Sequence, residues 1–357
     1  MNIEAMLLNQ FDKRFPTEES CIDYFRIIKE PLLPKCPKCG CISYNWVKGK
    51  QAFECKSCRH RIPLTKDTVM EYSKQPLRFW FYTMHLMTSI KQVLSAKEVQ
   101  YQLGQGQYPP VWLMMMKLRD IMGKREKIYQ LSGDVELDEA FFPTRMDDTD
   151  KSEALKRGAG SQRQTNVLVI AESKPVDKVL GEYLSRPKND TNEKIKKLLA
   201  NEKRQSVKKV VHYIKMFVIE DAKAKTIDKL VEKSINSSTT IVTDGSSSHT
   251  HFKDLVDKHE IYVEHDVDQV VRNALPWVHI IIGESKSGIE AIHKEVDKRF
   301  LQLYLNEYCW KFNRRFFRDS SDPRFDLFDR LVRISAIYKS DIKWRDYSKL
   351  SDEEPEL

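Results

Sequence analysis

No stretch of this 357-residue chain runs to eighteen apolar residues, so no membrane-spanning helix is expected. The opening MNIEAMLLNQFDKRF lacks the basic start, long apolar run and small-residue cleavage site of a secretion signal. Cysteine is too scarce for a disulfide scaffold. There are seven, four of them in two tight pairs, a usage that suits a metal site in a reducing compartment. These absences together predict a cytoplasmic protein.

What is present points to a polyanionic partner. Hydrophobic residues make up 41% of the chain, enough for a real core, and charged residues make up 31%. The formal charge is +8, and it is clustered. Residues 35–61 hold seven Lys/Arg against one Glu, and residues 186–233 hold fourteen against seven acids, while four of the last seven residues are acidic. Clustered basic charge is the footprint of a phosphate-backbone binder.

Cys36, Cys39, Cys55 and Cys58 read CPKC, fifteen residues, then CKSC. Each Cys-x-x-Cys can bend two thiolates onto one ion, and two such knuckles close the tetrahedral sulfur site of a structural zinc ribbon over 34–65. The ion is expected to supply much of the folding energy of a segment with so little core. Cys41 reads as a spare thiol, Cys21 and Cys309 as core fillers. Lys48, Lys50, Arg59 and Arg61 frame the ribbon as candidate DNA contacts.

Residues 1–33 read as an N-terminal helical segment. Residues 66–130 read as three helices in a helix-turn-helix-like DNA-binding arrangement. Pro76 suits a first turn, Ser95 and Glu98 form a capping-box pattern, and Gly104 is a stop signal. Trp112, Met115 and Met116 read as core, and Lys117 and Arg119 as candidate backbone contacts.

After Leu131 the period changes. GDVELDEAFF, QTNVLVIAES, KKVVHYIKMFVIE, TTIVTD and IYVEHDV read as strands. DAKAKTIDKLVEKS, HIIIGESKSGIEAI and DKRFLQLYLNEYCWKFNRRF read as helices. Residues 131–318 are thus expected to be a mixed α/β layer fold of the ribonuclease H type. A lysine-rich insertion falls at about 174–209, and a C-terminal helix and acidic tail at 319–357. Asp138 and Asp244 each close an apolar strand, with His279 and Lys286 on a later helix. Two strand-end carboxylates and a third metal-capable side chain are the layout of a two-metal phosphoryl-transfer site. Glu139 should face away from Asp138, since strand side chains alternate. Lys156, Arg157 and Arg163 in the basic loop KRGAGSQRQ, and Arg314 and Arg315 at a helix end, are further DNA candidates.

The order of zinc ribbon, helical segment, LDEAFF, KRGAGS, IVTDG, a late helix with Lys286 and YLNEYCWKFNRR resembles one known group. It is similar to the zinc-ribbon DDE transposases of bacterial insertion sequences, the group related to Merlin elements, over about residues 15 to 333. The resemblance implies a ribonuclease H-like core using magnesium or manganese. It implies action on the terminal inverted repeats of a mobile element and on target DNA, in a nucleoid-associated homodimer or larger assembly. It makes Asp138 and Asp244 the first two metal ligands and brings Lys286 to the DNA near the cleaved phosphate. The third ligand departs from the pattern: many relatives carry Glu where this chain has His279, and Glu284 is the rival ligand. A catalytically inactive, transposase-derived DNA-binding protein is the competing reading. A ribonuclease H-like nuclease of repair or recombination is a third.

Overall fold

The computed structural model describes residues 6–146, 154, 161–175, 209–246, 249, 251–262, 275–315 and 326–345. The chain forms two compact units, Met1–Arg125 with Phe317–Leu357, and Glu126–Phe316. No helix among the described residues is long and apolar enough to cross a membrane.

In the first unit, α1 (Leu8–Arg14) and α2 (Glu18–Lys29) precede the ribbon strands β1 (Tyr44–Val47), β2 (Ala52–Cys55) and β3 (Arg61–Pro63). These pair as one antiparallel sheet. Helices α3 (Leu77–Ser89), α4 (Ala96–Gln102) and α5 (Tyr108–Glu126) follow. The segment set apart in sequence at 319–357 does not stand alone. Its helix, α9 (Leu327–Ile337), returns to this unit. Phe328 is buried there with rings 5.5 Å from Phe15 and 5.6 Å from Phe81. The guanidinium of Arg14 grips Asp329 with two hydrogen bonds, of 2.9 and 3.1 Å.

The start of α3 depends on a neighbour. Its N-cap is Pro76, which has no side chain to offer. Instead the carboxylate of Glu18, on α2, accepts from Leu77 N at 2.7 Å and Arg78 N at 2.8 Å. The α4 signals hold locally: Ser95 Oγ accepts from Glu98 N at 3.0 Å, and Gly104 takes the left-handed φ of +62°.

At α5 the apolar side is core, and from Val111 to Arg125 no residue is fully exposed; the half-buried stripe is Leu113, Lys117, Asp120 and Lys124. Trp112, Met115 and Met116 are buried. Lys117 is half-buried. Arg119 is fully buried and donates to Leu94 O at 3.0 Å and to Met116 Sδ at 3.6 Å. It satisfies a loop carbonyl and cannot reach a phosphate.

The second unit is built on β4 (Asp134–Arg145), β5 (Gln164–Pro175), β6 (Lys209–Val218), β7 (Thr240–Asp244) and β8 (Lys258–Tyr262), in the spatial order β6-β5-β4-β7-β8. The pairs β4/β5 and β5/β6 are antiparallel, and β4/β7 and β7/β8 are parallel. The short β9 (Val296–Asp297) pairs with the far end of β4. Strand β8 sits earlier than IYVEHDV suggests. Most of the lysine-rich insertion and of KRGAGS, including Lys156 and Arg157, lies outside the described residues.

Alternation on β4 sorts its side chains. Val135 and Leu137 enter an apolar core with Ile227 and Val231 of α6 (Ala224–Ser234) and Ile241 of β7. Glu136 and Asp138 take the opposite face, along which α7 (Pro276–Glu290) packs against β4 and β5. Helix α8 (Leu301–Asn313) lies on β6.

Arg314 is another correction. It is buried, and its guanidinium is paired with Glu126, which also accepts from Asn313 Nδ2 at 2.6 Å. Arg315 is half-buried and donates to the carbonyls of Val211 and His212. Arg314 ties the end of α8 to Glu126 at the end of α5, and Arg315 ties it to β6. Replacing Arg314 by Leu strands the Glu126 carboxylate, and a buried ion losing its partner costs about 3 kcal/mol. Urea unfolding should register that loss.

Candidate metal centres

The four ribbon cysteines bring their sulfurs within 4.8 Å of one another. Cys36 and Cys58 stand 3.5 Å apart, as do Cys39 and Cys55. Four sulfurs about 2.3 Å from a central zinc would lie about 3.8 Å apart, so the cluster can hold a metal ion. Each knuckle closes with a residue at positive φ, Gly40 at +72° and Arg59 at +58°. Gly40 N donates to Cys36 O at 2.8 Å, and Arg59 N to Cys55 O at 3.0 Å. Backbone N–H groups of Cys58 and Ser57 aimed at the Cys55 sulfur lower its pKa to about 6, favouring the thiolate a metal needs. Lys48, Lys50 and Arg59 are exposed nearby, whereas Arg61 is tied to Glu54 at 2.7 Å. Cys39→Ser is expected to release bound zinc and to open residues 34–65 to limited proteolysis. Metal analysis and mapping of the cut sites check this.

The second centre starts on β4. Asp138 Oδ1 accepts the next backbone N–H, Glu139 N, at 2.8 Å, and Oδ2 stands 3.7 Å from Nε2 of His279 on α7. Burial, then the negative charges of Asp244 and Glu139, push the Asp138 carboxyl up to about 7. Asp244, at the end of β7, is held below the ordinary carboxylate value by the neighbouring His249, with help from Ser246 N at 3.1 Å. Burial lowers the pKa of His279, against a raising influence from Asp244, which favours the neutral ring, the form able to coordinate a metal. Lys286 stands seven residues further along α7, its Nζ 5.5 Å from the Phe142 ring centroid. Burial lowers its pKa, while Glu290 and Asp138 pull it back. Glu284 is exposed, and its charge acts on Tyr308 of α8.

Two residues of this centre were missed in sequence. His249 is completely buried between carboxylates. Its Nε2 is 3.1 Å from Glu139 Oε1. Its Nδ1 is 3.1 Å from Asp244 Oδ1 but off the line of a hydrogen bond, so that contact is an ion pair. Burial disfavours the charged ring, yet Asp244 and Glu139 raise its pKa to about 9. Glu139 therefore faces away from Asp138 and still reaches Asp244 through an imidazolium. The second is Glu136. Its Oε2 accepts from Trp277 N at 2.8 Å and Val278 N at 2.9 Å, the free donors of the first turn of α7. Burial pushes Glu136 up to about 7 even with those two donors.

Among the described residues only the cysteines gather their ligand atoms within a single 4.8 Å sphere. The second centre is wider, with oxygen and nitrogen donors suited to a hard or borderline divalent cation. Like charges crowded at one sheet edge are what such a cation would relieve.

That crowding has a pH signature. Folded-state values near 7 for Asp138 and Glu136 lie above the ordinary carboxylate range, so the stability they contribute is present in acid and lost as pH rises from about 4 to about 7. His249 is raised as well, and its contribution is lost between about 6.5 and about 9. Without added magnesium or manganese, Asp138→Asn should melt at a higher temperature than the parent at pH 8, with a smaller fall between pH 4 and 7. An unchanged or lower melting temperature at pH 8 contradicts the crowding.

A family model described as the ISXO2-like transposase domain matches residues 130–313, from the residue before Leu131 at the sheet entrance to the end of α8. No curated protein matches the chain. Since the matched segment covers over half of the 357 residues and contains Asp138, Asp244, His279 and Lys286, the chain belongs to the ISXO2-like transposase domain family.

Proposed function

We propose that this protein is a DDE-type DNA transposase that cleaves the terminal inverted repeats of an insertion sequence and transfers the freed 3′ end to target DNA. The observation that carries the reading is the placing of Asp138 on β4, Asp244 on the adjacent β7 and His279 on α7, near enough to act on one another's charge and with Asp138 Oδ2 3.7 Å from His279 Nε2, inside the matched domain. The strand order, three antiparallel strands followed by two parallel ones, supports a ribonuclease H-like core.

In this reading Asp138, Asp244 and His279 hold magnesium or manganese, which activates the attacking oxygen and offsets charge on the phosphodiester. Phosphodiester chemistry of this kind uses two ions about 3.5–4 Å apart. An imidazole supplies one negative charge fewer than a carboxylate and is softer, so manganese is favoured over magnesium. Lys286, two helical turns beyond His279 on the same face, offers an ammonium to the DNA phosphate. We favour His279 over Glu284 as the third ligand, because His279 Nε2 stands 3.7 Å from Asp138 Oδ2.

Zinc in the ribbon is structural, and exposed Lys48, Lys50, Arg59 and Arg163 are the contacts to phosphate, joined by Lys156 and Arg157. Bringing two element ends together calls for at least two protomers.

Strand transfer of labelled repeat ends in manganese is the test. Asp244→Ala should abolish transfer while end binding persists, and equal activity in variant and parent would sink the site. His279→Glu should shift the metal preference toward magnesium. A protein that binds repeat ends but transfers none under any metal is the inactive DNA-binding descendant instead.

A further inference from the structure

Helix α7 carries the third ligand, yet it has no cap of its own. Its N-cap is Leu275, without a side-chain hydrogen bond, and its first residue, Pro276, has no N–H. The next two N–H groups, of Trp277 and Val278, both point to Oε2 of Glu136. The following one, of His279, closes on Leu275 O at 3.3 Å. The cap therefore comes from the strand, two residues before Asp138 and on the same face.

We infer that Glu136 is a positioning residue for the metal centre: by capping α7 from β4, it sets where His279 stands relative to Asp138. This rests on the proposed ligand role of His279. A serine or threonine at the helix's own N-cap would stabilise the first turn equally well. It would leave the helix free to slide along the sheet. A carboxylate on β4 ties the first turn to the strand that bears Asp138, and the contacts continue in step along both elements. Glu136 meets Trp277 and Val278, Asp138 Oδ2 stands 3.7 Å from His279 Nε2, and Lys286 lies over Phe142. The first of these contacts is the one held by hydrogen bonds. Outer residues that orient a metal ligand typically matter 10–100-fold in metal affinity.

The test uses the full-length, zinc-loaded protein and follows free manganese by electron paramagnetic resonance. Glu136→Leu, which fills the space without an acceptor, should weaken manganese binding about tenfold or more. Glu136→Gln keeps an acceptor oxygen at the same reach and should restore most of it. In a His279→Ala background, Glu136→Leu should add less than about a twofold loss, because its effect passes through the missing ligand. Two results overturn the positioning role: a full additional loss in that background, or Gln as damaging as Leu. If the parent shows no saturable manganese binding, or His279→Ala leaves it unchanged, the ligand assignment itself falls and the role of Glu136 with it. Circular dichroism of each variant checks that α7 is still formed.

Discussion

The alternation of side chains on β4 governs the second unit. This strand pairs with β5 on one side and β7 on the other, and its two faces have opposite chemistry. Val135 and Leu137 enter the apolar core under α6. Glu136 and Asp138 meet α7 on the other face. A one-residue slip in register would bury both acids among aliphatic side chains and turn the core residues toward the ligand helix. The core and the site are therefore specified by the same pairing.

Having acids at the middle of a sheet conflicts with burying them, and the protein manages each differently. Glu136 is satisfied by backbone donors. Glu139 and Asp244 share the charged ring of His249. Among the described residues, Asp138 has its neighbour's N–H, an imidazole at 3.7 Å and the more distant charges of His249 and Lys286. The least compensated carboxylate is thus the one nearest His279. Such a site is destabilising by itself and is tolerated where function requires it.

Much of this could be read from the residues. Apolar runs marked the strands, because alternation is a local property; Asp244 does close β7, but Asp138 lies inside β4, which runs on to Arg145 because β5 goes on pairing with it as far as Pro143. The four cysteines were legible from spacing alone. What could not be read depended on partners far along the chain. Arg119 and Arg314 looked like surface charges, since nothing local announces Leu94 O or Glu126 as a buried acceptor. The triple Met of α5 was a sign of a mostly buried helix, which a helix-turn-helix reading underweights. His249 sits in a run of serines with no pattern of its own. Glu136 had a usable signal: the alternation that sent Glu139 away put Glu136 on the face of Asp138. The weak start of α7 at Leu275-Pro276 also called for an outside acceptor. That α9 joins the first unit was not legible, because a terminal helix does not encode which core receives it.

The two trans-capped helices have a consequence for stability. Both α3 and α7 begin at a proline and take their first-turn acceptor from another element, Glu18 for one and Glu136 for the other. Isolated helices of this length are marginal in water, and nucleation is their costly step. Neither first turn is satisfied from within its own helix, so each helix is stabilised once its partner is in place. For α7 the partner is the strand bearing Asp138, so the helix that carries His279 and the strand that carries the carboxylate it faces stabilise each other.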